Sequence, residues 1–361
     1  MKSWIEDLQL APLTPFDSLD QPAIGLYQGT FLEPRFSIER PTEGLKNKLL
    51  AKLKSSFTQK KWLYFFVASP DVALSGAIVD LGYAGNAFCS LIDLKTGEMI
   101  FDHSWLGVPK LQSKVGNRFF PDLQATFDNF STSDEKKVRI KLTPAADPDS
   151  FLLSVEIENA IKANLRLSNK NRPPMIALAN PTSSRLTYTQ KLNLLKAEGS
   201  ILVTNHGEYR FDSDSLHTYA GLDLTIAHPL HQTEWNWAFA GGQELGQHEQ
   251  IGFNLAAGNH LGGLNENCLW LGERTLELPP VRFINDKKDR SQPWKIISPD
   301  RAVQLEFRPL NLHAEDRNLI LVKTEFEQWF GRYSGTIQLN TGHTLVVENL
   351  TGVAEEQKVR W

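Results

Sequence analysis

Apolar and polar residues alternate along most of the chain. "KKVRIKL" sets Val138, Ile140 and Leu142 against Lys137, Arg139 and Lys141. "FLLSVEIE" sets Leu153, Val155 and Ile157 against Ser154, Glu156 and Glu158, and "AVQLEFRPL" repeats the pattern with Val303, Leu305 and Phe307. A period of two with one wet face predicts antiparallel sheet. Turn-rich clusters such as "AADPDS", "LSNKNRPP" and "INDKKDRSQP" separate these runs, as in sandwiches and barrels. One segment departs from the pattern. From Pro41 to Phe57, Leu45, Leu49, Leu53 and Phe57 recur at steps of four among lysines, which predicts an amphipathic helix covering a sheet or barrel mouth. The polar stretch "TNHGEYRFDSD" suggests a division into an N-terminal β domain, residues 1–204, and a C-terminal β domain, residues 205–361.

The chain has 361 residues and a formal net charge of −4. That near balance argues against nucleic acid as a partner. Neither an export signal nor an apolar run long enough to span a bilayer is visible, so a cytoplasmic protein without integral membrane association is expected. The two cysteines, Cys89 and Cys268, match no zinc spacing and are expected to be free thiols. No metal and no cofactor are expected: "GYAGN" lacks the spacing of a dinucleotide fingerprint, and nothing fixes a third ligand beside His228 and His231.

The candidate chemistry clusters in a few stretches. In "HQTEWNWAFAGG", Trp235, Trp237 and Phe239 share one strand face, an aromatic load suited either to core or to a ligand. His231, Asp223 and Glu234 lie close by in sequence and are candidate acid–base groups. In "RLTYTQKL", Tyr188 and Gln190 share one face and Thr187 and Thr189 the other; the first pair could place polar groups in a pocket. In "NENCLW", Asn265, Glu266 and Asn267 could supply hydrogen bonds at a cavity rim.

The succession "WLYFFVASPDVALSGAIVDLGYAGN", "YTQK", "WNWAFAGG", "IGFNLAAG", "NENCLW", "PWKI", "FGRYSGTI" and the final "RW" resembles the DUF2804 family, a domain family of unknown function. That family is remotely similar to tandem-lipocalin proteins such as the carotenoid 1,2-hydratases and the AttH-like proteins. The resemblance implies two lipocalin- or calycin-like antiparallel β-barrels packed together, an all-β fold, with a hydrophobic ligand in a cavity or at the domain seam. No hydratase motif maps onto this chain, so no reaction carries over. The expected function is binding of a lipid, terpenoid or polyketide-like molecule. The alternative is a cofactor-independent hydratase, isomerase or cyclase that works by acid–base catalysis on an apolar substrate.

Overall fold

A computed structural model describes residues 5–36, 57–130, 137–182, 185–243, 249–319 and 322–361. The expected helix falls outside them, apart from Phe57. Among the described residues, every named element is a strand, and the strands form one sheet of 14 and one of 9. The alternating runs behave as their pattern dictates. Val138, Ile140 and Leu142 pair with Ile157, Val155 and Leu153, and all six side chains are buried together, whereas Arg139, Lys141 and Glu156 are exposed.

The larger sheet runs from Met99–Gly107 through Gly85–Asp93, Val72–Asp80, Lys60–Ala68, Tyr219–Ala227 and Arg185–Val203. It continues through Ile161–Ser168, Ser150–Ile157, Val138–Pro144 and Ala125–Asp128 to Ser113–Val115. It curls until its last strand meets its beginning. The Ser113 hydroxyl donates to the Val79 carbonyl at 2.7 Å, and Gly85 lies against the Ser113 side chain. The result is a nearly closed barrel around a continuous apolar core. The strand "KKWLYFFVA" shows why its sequence is almost wholly apolar. Leu63, Phe65 and Val67 fill the barrel, while Tyr64, Phe66 and Ala68 pack outward against the second sheet. A strand covered on both faces loses its alternation.

The second sheet runs Arg274–Glu277, Cys268–Leu271, Gln250–Gly258, Gln232–Gln243, Thr344–Arg360, Val322–Gln338, Val303–Leu319, Trp294–Ile297, Arg282–Ile284. Leu276 near one end and Ile296 near the other enter one cluster with Phe253, Phe307 and Tyr333, so this sheet is curled as well. Residues 6–8 lie along its edge. Leu8 N–H donates to the Thr275 carbonyl, Glu277 N–H donates to the Glu6 carbonyl, and Arg274 pairs with Asp7 at 2.9 Å.

The expected division at 204/205 falls inside the first sheet. Gly207–Phe211 is the hairpin return of Arg185–Val203, and Tyr219–Ala227 is a central strand of the same sheet. "TNHG" is polar because it is an exposed turn, with Asn205 and Gly207 in left-handed conformations at φ 67° and 89°. The chain passes from one sheet to the other between Ala227 and Gln232. Cys89 and Cys268 are both buried as free thiols, the first in the barrel and the second between the sheets.

Candidate functional site at the seam

Two registers across the first barrel build one wall of a cavity. Lys191 pairs with Asp223, Asp223 with Tyr64, Tyr64 with Ala77 and Ala77 with Phe88. The neighbouring register runs Thr189, Thr225, Trp62, Val79 and Asn86. All ten side chains face the second sheet, which answers with the registers Trp237–Glu355, Trp235–Gln357–Phe326 and Thr233–Val359–Thr324. Between these walls lies a cavity of about 190 Å³. Its apolar surface is largely aromatic. Trp62 and Trp235 stand nearly parallel, 9° apart with centroids at 6.3 Å, and Tyr64 meets Trp237 edge-on at 5.2 Å. The sheets approach closely beside it: the Phe239 ring sits where a Cβ on Gly221 would be, 2.2 Å from that position, so only glycine fits there.

A charged cluster is set into this wall. Lys191 Nζ lies 2.6 Å from Asp223 Oδ2, 3.7 Å from Glu266 Oε2 and 5.0 Å from the centroid of Trp237. Burial opposes the ammonium charge, but Asp223 and Glu266 outweigh it and hold the Lys191 pKa above the usual lysine range. Asp223 Oδ1 accepts from the Thr189 and Thr225 hydroxyls at 3.2 and 3.1 Å. Glu266 Oε1 pairs with His260 Nε2 at 3.0 Å. Burial would raise the Glu266 pKa, yet Lys191 and His260 hold it below the ordinary value.

Glu355, facing this cluster, has the opposite character. Burial pushes its carboxyl up to about 7, against the opposing pull of Gln328, Lys191 and the Trp235 side chain. Gln328 Nε2 donates to Glu355 Oε1 at 2.7 Å, and the Ser75 hydroxyl donates to Gln328 Oε1 at 2.6 Å. The Ser75 and Tyr64 hydroxyls are 3.1 Å apart, so a hydrogen-bonded chain crosses the seam and fixes the carboxyl.

A second ionic group closes another part of the cavity lining, where Glu315 is found. His313 Nδ1 is 2.6 Å from Asp102 of the first barrel, and Nε2 is 3.7 Å from Glu315. The imidazole stacks on Phe88 at 4.4 Å. Burial works against the imidazolium, but Asp102 and Glu315 lift its pKa to about 9.

The sequence-predicted residues divide. Asp223, Trp235 and Trp237 line the cavity. Phe239 is buried beside Trp237, with centroids 5.5 Å apart, as part of the packed seam. Tyr188 and Gln190 face the barrel interior instead, because the strand alternates and the neighbouring Thr187, Thr189 and Lys191 take the cavity face. There Tyr188 bonds the Arg35 backbone, and Gln190 accepts from Phe120 N–H and donates to the Gly29 carbonyl. Asn265 and Asn267 donate to the Leu278 and Pro279 carbonyls, holding a loop that delivers Glu266. His231 and Glu234 are exposed and do not line the cavity. His228 is buried, and desolvation aided by Arg185 and Lys60 lowers its pKa to about 4. Among the described residues, no group of three or more His, Cys, Asp and Glu side chains is placed to hold a metal ion. No described helix is long and apolar enough to cross a membrane.

This is an all-β architecture of two curled antiparallel sheets with a cavity at their seam. The chain belongs to the DUF2804 family, a domain of unknown function, which it matches over residues 37–361. No curated protein matches it significantly in sequence. Among solved structures, it is similar to CghA with Sch210972, at 11% identity and a TM-score of 0.48, covering 84% of this chain and 88% of that one. It is similar to CghA at 12% identity and a TM-score of 0.48, covering 94% and 98%. It is similar to kievitone hydratase from Nectria haematococca at 11% identity and a TM-score of 0.42, covering 98% and 97%.

Proposed function

We propose that the protein binds a hydrophobic small molecule in the seam cavity. The observation that carries this reading is the cavity itself: about 190 Å³, walled by Trp62, Trp235, Trp237, Phe88 and Phe326, with a few convergent polar groups. Such a site rewards an apolar body by desolvation and orients it through the polar groups. Native mass spectrometry of protein purified without detergent tests this. The expected result is a retained lipid-like mass that Trp235→Ala releases; a bare protein that also fails to take up apolar probes refutes it.

A second reading is acid–base catalysis on the same molecule, and the Glu355 carboxyl favours it. A group with a pKa of about 7 can donate and recover a proton near neutral pH. In this reading Glu355 takes the role expected of His231, Asp223 or Glu234, and Lys191 polarises the substrate. The test is to incubate the extracted ligand with wild type and Glu355→Gln. Conversion by wild type alone supports catalysis; equal conversion by both removes Glu355 from it.

A further inference from the structure

The Lys191–Glu266 pair is incomplete on the cavity side. Glu266 is 3% exposed and lines the cavity. Its Oε1 is taken by His260, but Oε2 is buried without a hydrogen-bond donor among the described residues. Lys191 Nζ lies 3.7 Å from that oxygen, beyond hydrogen-bonding distance, and its short contact is to Asp223 at 2.6 Å. An ammonium has three N–H donors, and an ionised carboxylate oxygen accepts more than one hydrogen bond. The pair therefore presents one donor and one acceptor side by side, beside the Trp237 ring. A buried carboxylate oxygen left unpaired is costly, which makes this the point where a ligand gains most.

We propose that Lys191 and Glu266 form a hydroxyl-binding subsite, and that the molecule taken up in the cavity is an apolar alcohol or phenol. This rests on the seam cavity being a ligand site. A hydroxyl matches both groups at once: its lone pair accepts from Lys191 Nζ, and its hydrogen goes to Glu266 Oε2. An ether satisfies only the lysine, a hydrocarbon satisfies neither, and a carboxylate meets repulsion from Glu266, Asp223 and Glu315 in the same lining. The low pKa of Glu266 keeps it an acceptor at neutral pH.

β-Naphthol, its methyl ether and naphthalene share one aromatic body and separate these cases. Equilibrium dialysis with the full chain should show naphthol binding about tenfold more tightly than the ether, the scale of one hydrogen bond to a charged group. Glu266→Gln should bring the two close together while naphthalene still binds. Equal binding of naphthol and ether to wild type, the result a fixed water at the subsite would give, overturns the subsite and leaves the cavity reading standing. Binding of none of the three overturns the cavity reading and the subsite with it. The wild-type comparison decides the matter even where the variant is poorly folded.

Discussion

The interior of the first barrel and the seam outside it are lined by opposite faces of the same strands. On Arg185–Val203, Tyr188, Gln190 and Leu192 point into the barrel, and Thr187, Thr189 and Lys191 point into the seam. The two spaces are furnished differently. In the barrel, the polar atoms of Tyr188 and Gln190 are closed off by the backbone of Arg35, Phe120 and Gly29, and apolar side chains fill the rest. In the seam, Lys191, Asp223, Glu266, Glu315 and Glu355 surround an open volume, and Glu266 Oε2 has no hydrogen-bond donor among the described residues. The open volume described above lies between the two curled sheets, where side chains from distant parts of the chain meet.

Four perturbations test this contrast. Phe65→Ala empties a fully buried site inside the barrel and should cost ~3–5 kcal/mol with little direct effect on the seam. Denaturant unfolding monitors the loss; a cost below ~1 kcal/mol would mean that the barrel is loosely filled.

His313 tests the seam as a joint. Its folded pKa of about 9 exceeds the unfolded value of about 6.5, so its contribution is complete below pH ~6.5 and is lost as pH rises through about 9. The full contribution is on the order of 3 kcal/mol. The stability gap between wild type and His313→Gln should therefore close between pH 6 and pH 10, measured at fixed salt; a constant gap would show that charge is not what joins Asp102 to His313.

Glu355 acts in a lower window. With a folded pKa of about 7 against an unfolded value of about 4.3, its protonated form is favoured by folding. Its contribution is present below pH ~4.3 and is lost as pH rises through about 7. Wild type should lose ~2–3 kcal/mol relative to Glu355→Gln across that range. Parallel pH profiles would contradict the raised pKa.

Trp235→Ala should have the smallest effect on stability and the largest on ligand. The ring is half-buried, so the cost should fall below the ~3 kcal/mol typical of a core tryptophan, while an apolar fluorescent probe is displaced. Strong destabilisation with unchanged probe affinity would assign the ring to packing alone.

The fold was largely legible in the sequence because alternation records which face is wet. It succeeded at Val138–Pro144 and Ser150–Ile157, where one face is exposed. It could not report what faces what when both sides are dry. "RLTYTQKL" offers two polar faces, and nothing local says that Thr187 and Thr189 meet the second sheet while Tyr188 and Gln190 turn inward. Asp223, Trp235 and Trp237 were identified from sequence as candidates because they cluster locally. Glu266 stood out beside Asn265 and Asn267 only as a hydrogen-bonding group, since its charge depends on Lys191, far off in sequence, and Glu355 was missed, since burial in the seam is what raises its carboxyl. The polar stretch near Asn205 is ambiguous for a related reason: a hairpin turn and a linker have the same composition.

The clasp of residues 6–8 on Arg274–Glu277 bears on the order in which the protein can be made. The N-terminal stretch leaves the ribosome long before the strand it will cover exists, and it must wait for most of the chain to follow. Without that docking the edge of the second sheet has no cover, and such edges invite pairing with other molecules. Once Leu8, Asp7 and Glu6 dock on Arg274–Glu277, a strand edge late in the sequence is held by a segment much earlier in it.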